Sequence, residues 1–244
     1  MKLLAFDTST ELMSIAVMRE VDGEARVWQH TSAGGAQASG ALIPAIETLM
    51  AEARLGLSDL DAIAFGRGPG SFTGLRTACA VAQGLGFGAG VRLLPVDTLL
   101  AVAEDARLRH AAASDRLSVL ALLDARMDEL YAAPYDYYQG CWQQRSEFSM
   151  CRPQELPAAP VDALAGNVFV QHGARLAVPA TLPRWEALPT AAALLHLAPA
   201  LLAEGNALRA EDALPLYIRD KVAQTTEERA TAKATRGMPN RPQT

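Results

Sequence analysis

The stretch from residue 61 to residue 90 constrains the fold most, because it joins an apolar run, a glycine-rich turn and a helix of small residues. The apolar run, residues 62–65, is short and stops at a glycine, as buried strands often do. In the turn GRGPGSFTG, Ser71 or Thr73 can cap the following helix with its hydroxyl. That helix contains several glycines, each of which costs about 1 kcal/mol relative to alanine. We therefore predict a strand, a turn and a helix that another backbone approaches closely.

The same geometry raises the question of phosphate binding, since a helix N-terminus after a glycine loop offers free amides and a positive dipole end. A Walker motif needs a lysine in the loop, but the three lysines of the chain are Lys2, Lys221 and Lys233. The run 68–74 is GxGxxxG, one residue longer than the dinucleotide motif. The sequence favours a turn shaped for packing and leaves a phosphate cradle as the alternative.

The first 108 residues predict a ribonuclease-H-like mixed sheet, because a three-stranded meander precedes βα units. The predicted strands are residues 3–6, 12–18, 25–30, 62–65 and 92–96. The predicted helices are residues 39–54, 71–88 and 98–108, with Thr98 as the cap of the last.

A polar break at residues 109–116 precedes a second set of elements. Strands are predicted at residues 117–123, 129–138, 142–150 and 167–171, and a helix capped by Thr190 at residues 190–203. Both halves open with an apolar strand that ends in aspartate, which indicates two related lobes. We expect an α/β protein with lobes at residues 1–108 and 109–189, the second reduced. Residues 190–222 should pack back on the first lobe, and the polar residues 223–244 should be disordered.

Composition narrows the class of protein. Half of the residues are hydrophobic, but no apolar run reaches the roughly 20 residues of a membrane span, and no signal-peptide pattern is present. The cysteines are odd in number and widely spaced, which fits unpaired thiols in a reducing cytoplasm. The net charge of −5 argues against binding nucleic acid by bulk electrostatics. We therefore expect a soluble cytoplasmic protein without a membrane partner.

The inventory of catalytic groups is small. Asp7 and Asp124 follow strands, where ligand groups often lie, but each can equally cap its own turn. The four histidines have no i,i+4 pair and no CxxC motif exists, so we predict no metal site and surface or strand-end histidines. Ser71 lies outside any GxSxG elbow, and no catalytic nucleophile is predicted.

Three arginines flank these turns: Arg67 and Arg76 beside the glycine loop, and Arg126 after the second aspartate. Arginine in a loop binds carboxylate or phosphate with two parallel hydrogen bonds. Salt bridges between the lobes explain the positions of these three arginines equally well.

Five motifs resemble the TsaB (YeaZ) family and occur in the family's order over residues 1–222. They are KLLAFDTST at residues 2–10, GRGPGSFTGLR at 66–76, AQGL at 82–85, LDARM at 123–127 and PLYIR at 215–219. The resemblance implies two ribonuclease-H-like lobes of the actin/Hsp70-type ATPase-like fold. A histidine that many family members carry before the first helix is Ala38 here.

The resemblance also implies a function, as the non-catalytic subunit required when TsaD transfers a threonylcarbamoyl group to the adenosine beside the tRNA anticodon. TsaD would be its heterodimer partner, the ATPase TsaE would join the complex, and tRNA would be reached only through that complex. The chain alone would form a homodimer. It would have no cofactor of its own, with ATP or ADP possible at the partner interface. The alternatives are a nucleotide-binding phosphotransferase or ATPase, and a metalloprotease-like hydrolase.

Two sets of candidate residues follow from the resemblance. The partner interface would be formed by the first two helices, at Leu42, Ile46, Leu49, Met50, Gly74, Leu75, Ala78, Ala82 and Leu85. A remnant of a nucleotide-facing site would comprise Asp7, Thr8, Ser9, Arg67, Gly68, Gly70, Ser71, Arg76, Asp124 and Arg126. Periodicity cannot tell whether the apolar helix residues face a partner or this chain's own sheet.

Overall fold

A computed structural model describes residues 1–218, apart from the side chain of Ala36. The predicted tail, 223–244, lies outside the described residues. The first sheet has the strand order β3-β2-β1-β4-β5, with β1 antiparallel to β2 and parallel to β4. Its strands are β1 (Lys2–Asp7), β2 (Leu12–Val21), β3 (Glu24–Ala33), β4 (Ala62–Gly68) and β5 (Leu93–Asp97). The helices between them are α1 (Ala38–Ala53) and α2 (Phe72–Ala89), and α3 (Thr98–His110) follows β5.

The second sheet has the order β11-β10-β6-β7-β8, and β9 also pairs with β7. Its strands are β6 (Arg116–Arg126), β7 (Glu129–Tyr138), β8 (Cys141–Gln144), β9 (Ser149–Cys151), β10 (Ala163–Gly166) and β11 (Arg184–Glu186). The short helix α4 (Phe169–His172) and the longer α5 (Ala191–Ala203) complete the fold. The two mixed sheets confirm two ribonuclease-H-like lobes.

The first lobe consists of the first sheet with α1, α2, α3 and α5, and the second lobe of the second sheet with α4. The helices α1 and α2 cover one face of the first sheet, in a core that includes Leu42, Phe65 and Ala78. The opposite face packs on α3 and α5, for example through Leu3 and Leu194. The helix α3 is buried on nearly all sides. The side of it that packs in the core of the second sheet carries Leu99, Val102 and Ala106.

A buried polar contact ties α3 to the second sheet. Arg107 donates from Nε and Nη2 to the two carboxylate oxygens of Glu104, both at 2.8 Å. The indole Nε1 of Trp142, in β8, donates to Glu104 Oε2 at 2.9 Å. The Arg107 guanidinium lies 4.4 Å from the ring centroid of Tyr137 in β7. Removing one member of such a buried pair would leave a charge without compensation, so the contact fixes the lobes together.

Three local predictions were wrong. Residues 167–171 are not a strand: the buried strand β10 ends at Gly166, and Val168 and Phe169 pack beneath the sheet from a short helix. Residues 142–150 form two strands, β8 and β9, because the chain leaves the sheet between them and returns to pair with β7. Thr98 does not cap α3, since Asp97 lies at the N-cap and the Thr98 hydroxyl is buried without a hydrogen-bond partner.

The caps predicted for the other helices are present. Ser71 Oγ accepts from the Gly74 amide at 3.4 Å, and Thr190 Oγ1 accepts from the Ala193 amide at 3.2 Å. Within residues 1–218, no helix combines the length and apolar character that crossing a membrane requires.

Candidate functional site

A cleft of about 550 Å³ lies between the two lobes. The first lobe contributes the turn after β1 and the start of α2, through Ser9 and Ser71. The second lobe contributes the turn between β6 and β7, through Asp124 and Arg126. Residues 216–218 form a further part of the wall, together with Gly34, Gly35 and Asn167. The cleft thus brings parts of the predicted nucleotide-facing set together.

Asp7 is absent from the cleft wall, because its side chain is sealed inside the first lobe. Its Oδ1 accepts from the Ser9 amide at 2.8 Å and the Ser9 hydroxyl at 2.7 Å. Its Oδ2 is buried with no hydrogen-bond partner among residues 1–218 and faces Gly66, where a Cβ would lie only 1.7 Å away. Burial raises the pKa of the Asp7 carboxyl to about 7, although the Ser9 hydrogen bonds act against the shift.

The glycine loop packs directly on the turn after β1. The Ser71 amide donates to the Ser9 carbonyl at 2.8 Å, and Thr8 Oγ1 donates to the Gly74 carbonyl at 2.7 Å. A Cβ at Gly74 would lie 1.9 Å from the Thr8 carbonyl oxygen, and one at Gly70 would lie 2.7 Å from Ser9 Cβ. The glycine loop therefore packs on the turn after β1, as the sequence favours, while Ser9, Gly70 and Ser71 also line the cleft.

Segment 213–218 lies across the glycine loop and α2. The Leu216 amide donates to the Arg67 carbonyl at 2.7 Å, and Gln83 Nε2 donates to the Ala213 carbonyl at 2.9 Å. Gly68 has φ +126°, and a Cβ there would lie 2.4 Å from the Leu216 carbonyl oxygen. Glycine is required at this position by its backbone angle and by the close approach of segment 213–218, which we call the strap.

Two of the three arginines pair within their own lobes. Arg67 Nε contacts Asp97 Oδ1 at 2.6 Å inside the first lobe. Arg126 Nη1 contacts Asp124 Oδ2 at 3.1 Å inside the second lobe. Neither pair is the salt bridge between lobes that the sequence offered as one explanation.

The turn between β6 and β7 has an unusual backbone. Arg126, Met127 and Asp128 have φ of 62°, 55° and 65°, a left-handed conformation that costs about 1–2 kcal/mol for each non-glycine residue. Asp124 Oδ1 accepts from the Arg126 amide at 3.0 Å, and Arg175 Nη1 donates to Asp128 Oδ2 at 2.9 Å. The hydrogen bonds from Arg175 also lower the pKa of Asp128. Side-chain contacts thus hold the turn at the cleft.

Sequence reasoning missed His172, which supports this turn. The prediction of surface or strand-end histidines was wrong for it, since only 1% of the residue is exposed. Its Nδ1 lies 2.7 Å from Arg175 Nη2, and its Nε2 lies 3.6 Å from Asp124 Oδ1. No local pattern separates His172 from His30, His110 and His196, which are exposed. Within residues 1–218, no three His, Cys, Asp or Glu side chains are arranged to hold a metal ion.

The residues that α1 and α2 expose are not those predicted for the partner interface. The following predicted interface residues are buried inside this chain: Leu42, Ile46, Leu49, Met50, Gly74, Leu75, Ala78 and Ala82. Leu85 is half-buried against the same core. These side chains belong to the folding core, because the apolar stripe of each helix faces its own sheet. The exposed face carries Ile43, 44% exposed, Phe87, 80% exposed, and Gly84 and Gly88, which have no neighbouring atom within 4 Å of a Cβ position.

Two ribonuclease-H-like lobes around a cleft, with strand-end aspartates in both halves, define a protein of the actin/Hsp70-type ATPase-like class. Comparison with known proteins narrows this class. The family model described as "TsaD: tRNA N6-adenosine threonylcarbamoyltransferase" matches residues 30–227.

Two curated relatives are tRNA threonylcarbamoyladenosine biosynthesis proteins TsaB. The Escherichia coli protein is 32% identical over 91% of this chain and 96% of its own length. The Haemophilus influenzae protein is 31% identical over 90% and 94%, respectively. The solved structure of YeaZ from Pseudomonas aeruginosa has a TM-score of 0.78 and 37% identity, covering 89% of this chain and 99% of that one. The chain therefore belongs to the TsaB (YeaZ) family.

Proposed function

We propose that this chain is a non-catalytic subunit for threonylcarbamoyl transfer to the adenosine beside the tRNA anticodon. In this proposal it binds the catalytic subunit TsaD, acts together with the ATPase TsaE in the cytoplasm, and reaches tRNA only within that complex. The observation that carries the proposal is the similarity to curated TsaB proteins over nine-tenths of the chain, 91% for the Escherichia coli relative.

The exposed face of α1 and α2 is the surface we assign to TsaD. Ile43 and Phe87 are large apolar side chains in contact with solvent, and Ala80, Gly84 and Gly88 let another helix approach closely. Burial of a large apolar side chain stabilises an interface by roughly 1.5–3 kcal/mol. In the absence of TsaD, we propose that the same face forms a homodimer.

The interior of the first lobe supports the proposal that this chain does not catalyse a reaction by itself. Asp7 is sealed under Gly66, away from the cleft, and the glycine loop packs closely on the turn after β1. Any ATP or ADP would therefore bind at the interface with the partner, and this chain would supply part of a wall rather than a complete site. No observation favours the phosphotransferase or the metalloprotease alternative.

Reconstitution tests the proposal. Purified chain, TsaD and TsaE are combined with tRNA, ATP and a preformed activated threonylcarbamoyl donor, and the modified nucleoside is quantified by mass spectrometry. We expect modification only when this chain is present. Equal modification in its absence, or turnover of ATP by the isolated chain, would contradict the proposal.

A surface variant locates the interface. Phe87→Asp should abolish binding to TsaD, because a carboxylate would be buried without a partner. The matched control is Val170→Asp, at an apolar residue on the second lobe that is 96% exposed. Light scattering and calorimetry would measure assembly, and circular dichroism would verify the fold. Loss of binding in both variants, or in neither, would remove this face from the proposal.

A further inference from the structure

Arg76 is held in an unusually defined position for an exposed arginine. Its guanidinium carbon lies 3.8 Å from the ring centroid of Phe72, and its Nε donates to the Tyr217 hydroxyl at 3.0 Å. The rings of Phe72 and Tyr217 are 5.3 Å apart, so both aromatic residues support the same group. Tyr217 is itself fixed by the strap, because the neighbouring Leu216 amide donates to the Arg67 carbonyl.

Among residues 1–218, nothing contacts the outer edge of this guanidinium with a hydrogen bond or ion pair. Stacking and the Nε hydrogen bond engage one face and one edge, while neither Nη atom has a hydrogen-bond or ion-pair partner within residues 1–218. Two parallel N–H groups on a fixed plane match the two oxygens of a carboxylate or phosphate. Since the side chain is already ordered, binding an anion would cost little further conformational entropy.

Arg76 also continues the exposed face of α2. Residues 76, 80, 84 and 87 follow helical spacing, and all four are exposed. Within the sequences of α1 and α2, Arg76 is the sole lysine or arginine. Arg76 is thus the one cation that the two helices present, and its position is fixed.

We propose that Arg76, ordered by Phe72 and Tyr217, is a specificity anchor that binds a side-chain carboxylate of the partner subunit. This inference rests on the proposed function, because it takes TsaD as the partner that covers α2. A protein carboxylate fits better than a tRNA phosphate, since a chain with a net charge of −5 repels a polyanion and a single arginine cannot offset that repulsion. The anchor fixes the register of α2 against the partner helix.

The experiment measures the affinity of purified full-length variants for TsaD by calorimetry. Arg76→Lys keeps the charge but loses the planar fork, and we expect an affinity roughly 10-fold lower, because a charge-assisted bidentate pair is lost. Tyr217→Phe keeps the ring but removes the hydroxyl that accepts from Nε, so a loss of about 3-fold is expected. The matched control is Arg116→Lys, since Arg116 is an exposed arginine that stacks on Tyr138 in the second lobe. It should leave the affinity unchanged.

The outcomes separate this inference from the proposed function. If the wild-type chain does not bind TsaD, the proposed function fails. If the wild type binds and Arg76→Lys binds equally well, the anchor alone is wrong. Weaker self-association or weaker tRNA binding in Arg76→Lys, with unchanged affinity for TsaD, would assign the arginine to another occupant and also overturn the inference. Thermal unfolding of each variant verifies that the fold is intact.

Discussion

The two lobes share a strand-end aspartate, which is buried in the first lobe and lines the cleft in the second. In each, the first strand carries an aspartate at or near its end, before a turn: Asp7 is the last residue of β1, and Asp124 lies two residues before the end of β6. Asp7 is sealed beneath glycines, with one oxygen unpartnered and its pKa raised to about 7. Asp124 lines the cleft and contacts both Arg126 and His172.

The difference lies in what covers each turn rather than in the aspartates. The turn after β1 is covered by backbone that can approach only because Gly66, Gly70 and Gly74 have no side chains. The turn after β6 has no such glycines, and side chains from Arg175 and His172 hold it in a left-handed conformation. We call the turn after β1 the closed turn, because its aspartate is sealed although Ser9 reaches the cleft, and the turn after β6 the open turn, because its aspartate lines the cleft.

Adding one methyl group to the closed turn should have the largest effect. In Gly74→Ala the new Cβ would overlap the Thr8 carbonyl oxygen at 1.9 Å, so β1 and α2 must separate. We expect a loss of at least about 4 kcal/mol in the free energy of unfolding, measured by urea denaturation. The control in the same helix is Gly84→Ala, which meets no atom within 4 Å and should gain up to about 1 kcal/mol. Equal stability of the two variants would contradict the packing turn.

The buried carboxyl predicts a pH dependence specific to the first lobe. Since the folded-state pKa of Asp7 is about 7 and its unfolded value is near 3.8, its contribution to stability is complete below pH 4 and is lost as the pH rises through 7. Relative to Asp7→Asn, the wild type should lose on the order of 3 kcal/mol in unfolding free energy between pH 5 and pH 8. Asp124→Asn serves as the comparison for the open turn. A constant difference between wild type and Asp7→Asn across this range would show that Asp7 is ionised at little cost.

Relieving the backbone of the open turn should have the smallest effect. Met127 has φ 55°, where glycine is favoured, so Met127→Gly should raise the free energy of unfolding by up to about 1 kcal/mol. Met127→Ala is the control, because it shortens the side chain and keeps the unfavourable angle. If both variants change stability equally, the backbone angle is not the cause.

The sequence predicted the parts of the fold that local patterns determine. Apolar runs gave the strands, and the spacing of Leu42 and Ile46 located α1. The hydroxyls of Ser71 and Thr190 indicated where α2 and α5 begin. It failed at residues 167–171, where an apolar stretch lies beside the sheet, because periodicity does not distinguish a strand from a short buried helix.

The candidate site was harder to predict, because its geometry depends on contacts distant in sequence. The sequence suggests the apolar stripe of α1 as a possible partner surface, but that stripe faces the sheet. Only the three-dimensional fold shows that Phe87 is exposed. Arg76 and Tyr217 are 141 residues apart, so their hydrogen bond left no local signal. His172, at the end of α4, likewise gains its role from Asp124, 48 residues earlier in β6.

The contact among Glu104, Arg107 and Trp142 has a mechanical consequence. With residues of α3 in both cores and Trp142 of β8 hydrogen-bonded to the ion pair on α3, hinge motion between the sheets would expose apolar surface and remove a hydrogen bond from the buried Glu104 carboxylate. We therefore expect the two sheets to move together as one rigid body. A protein bound to α2 would then reorient β8, at the edge of the second sheet, together with α2.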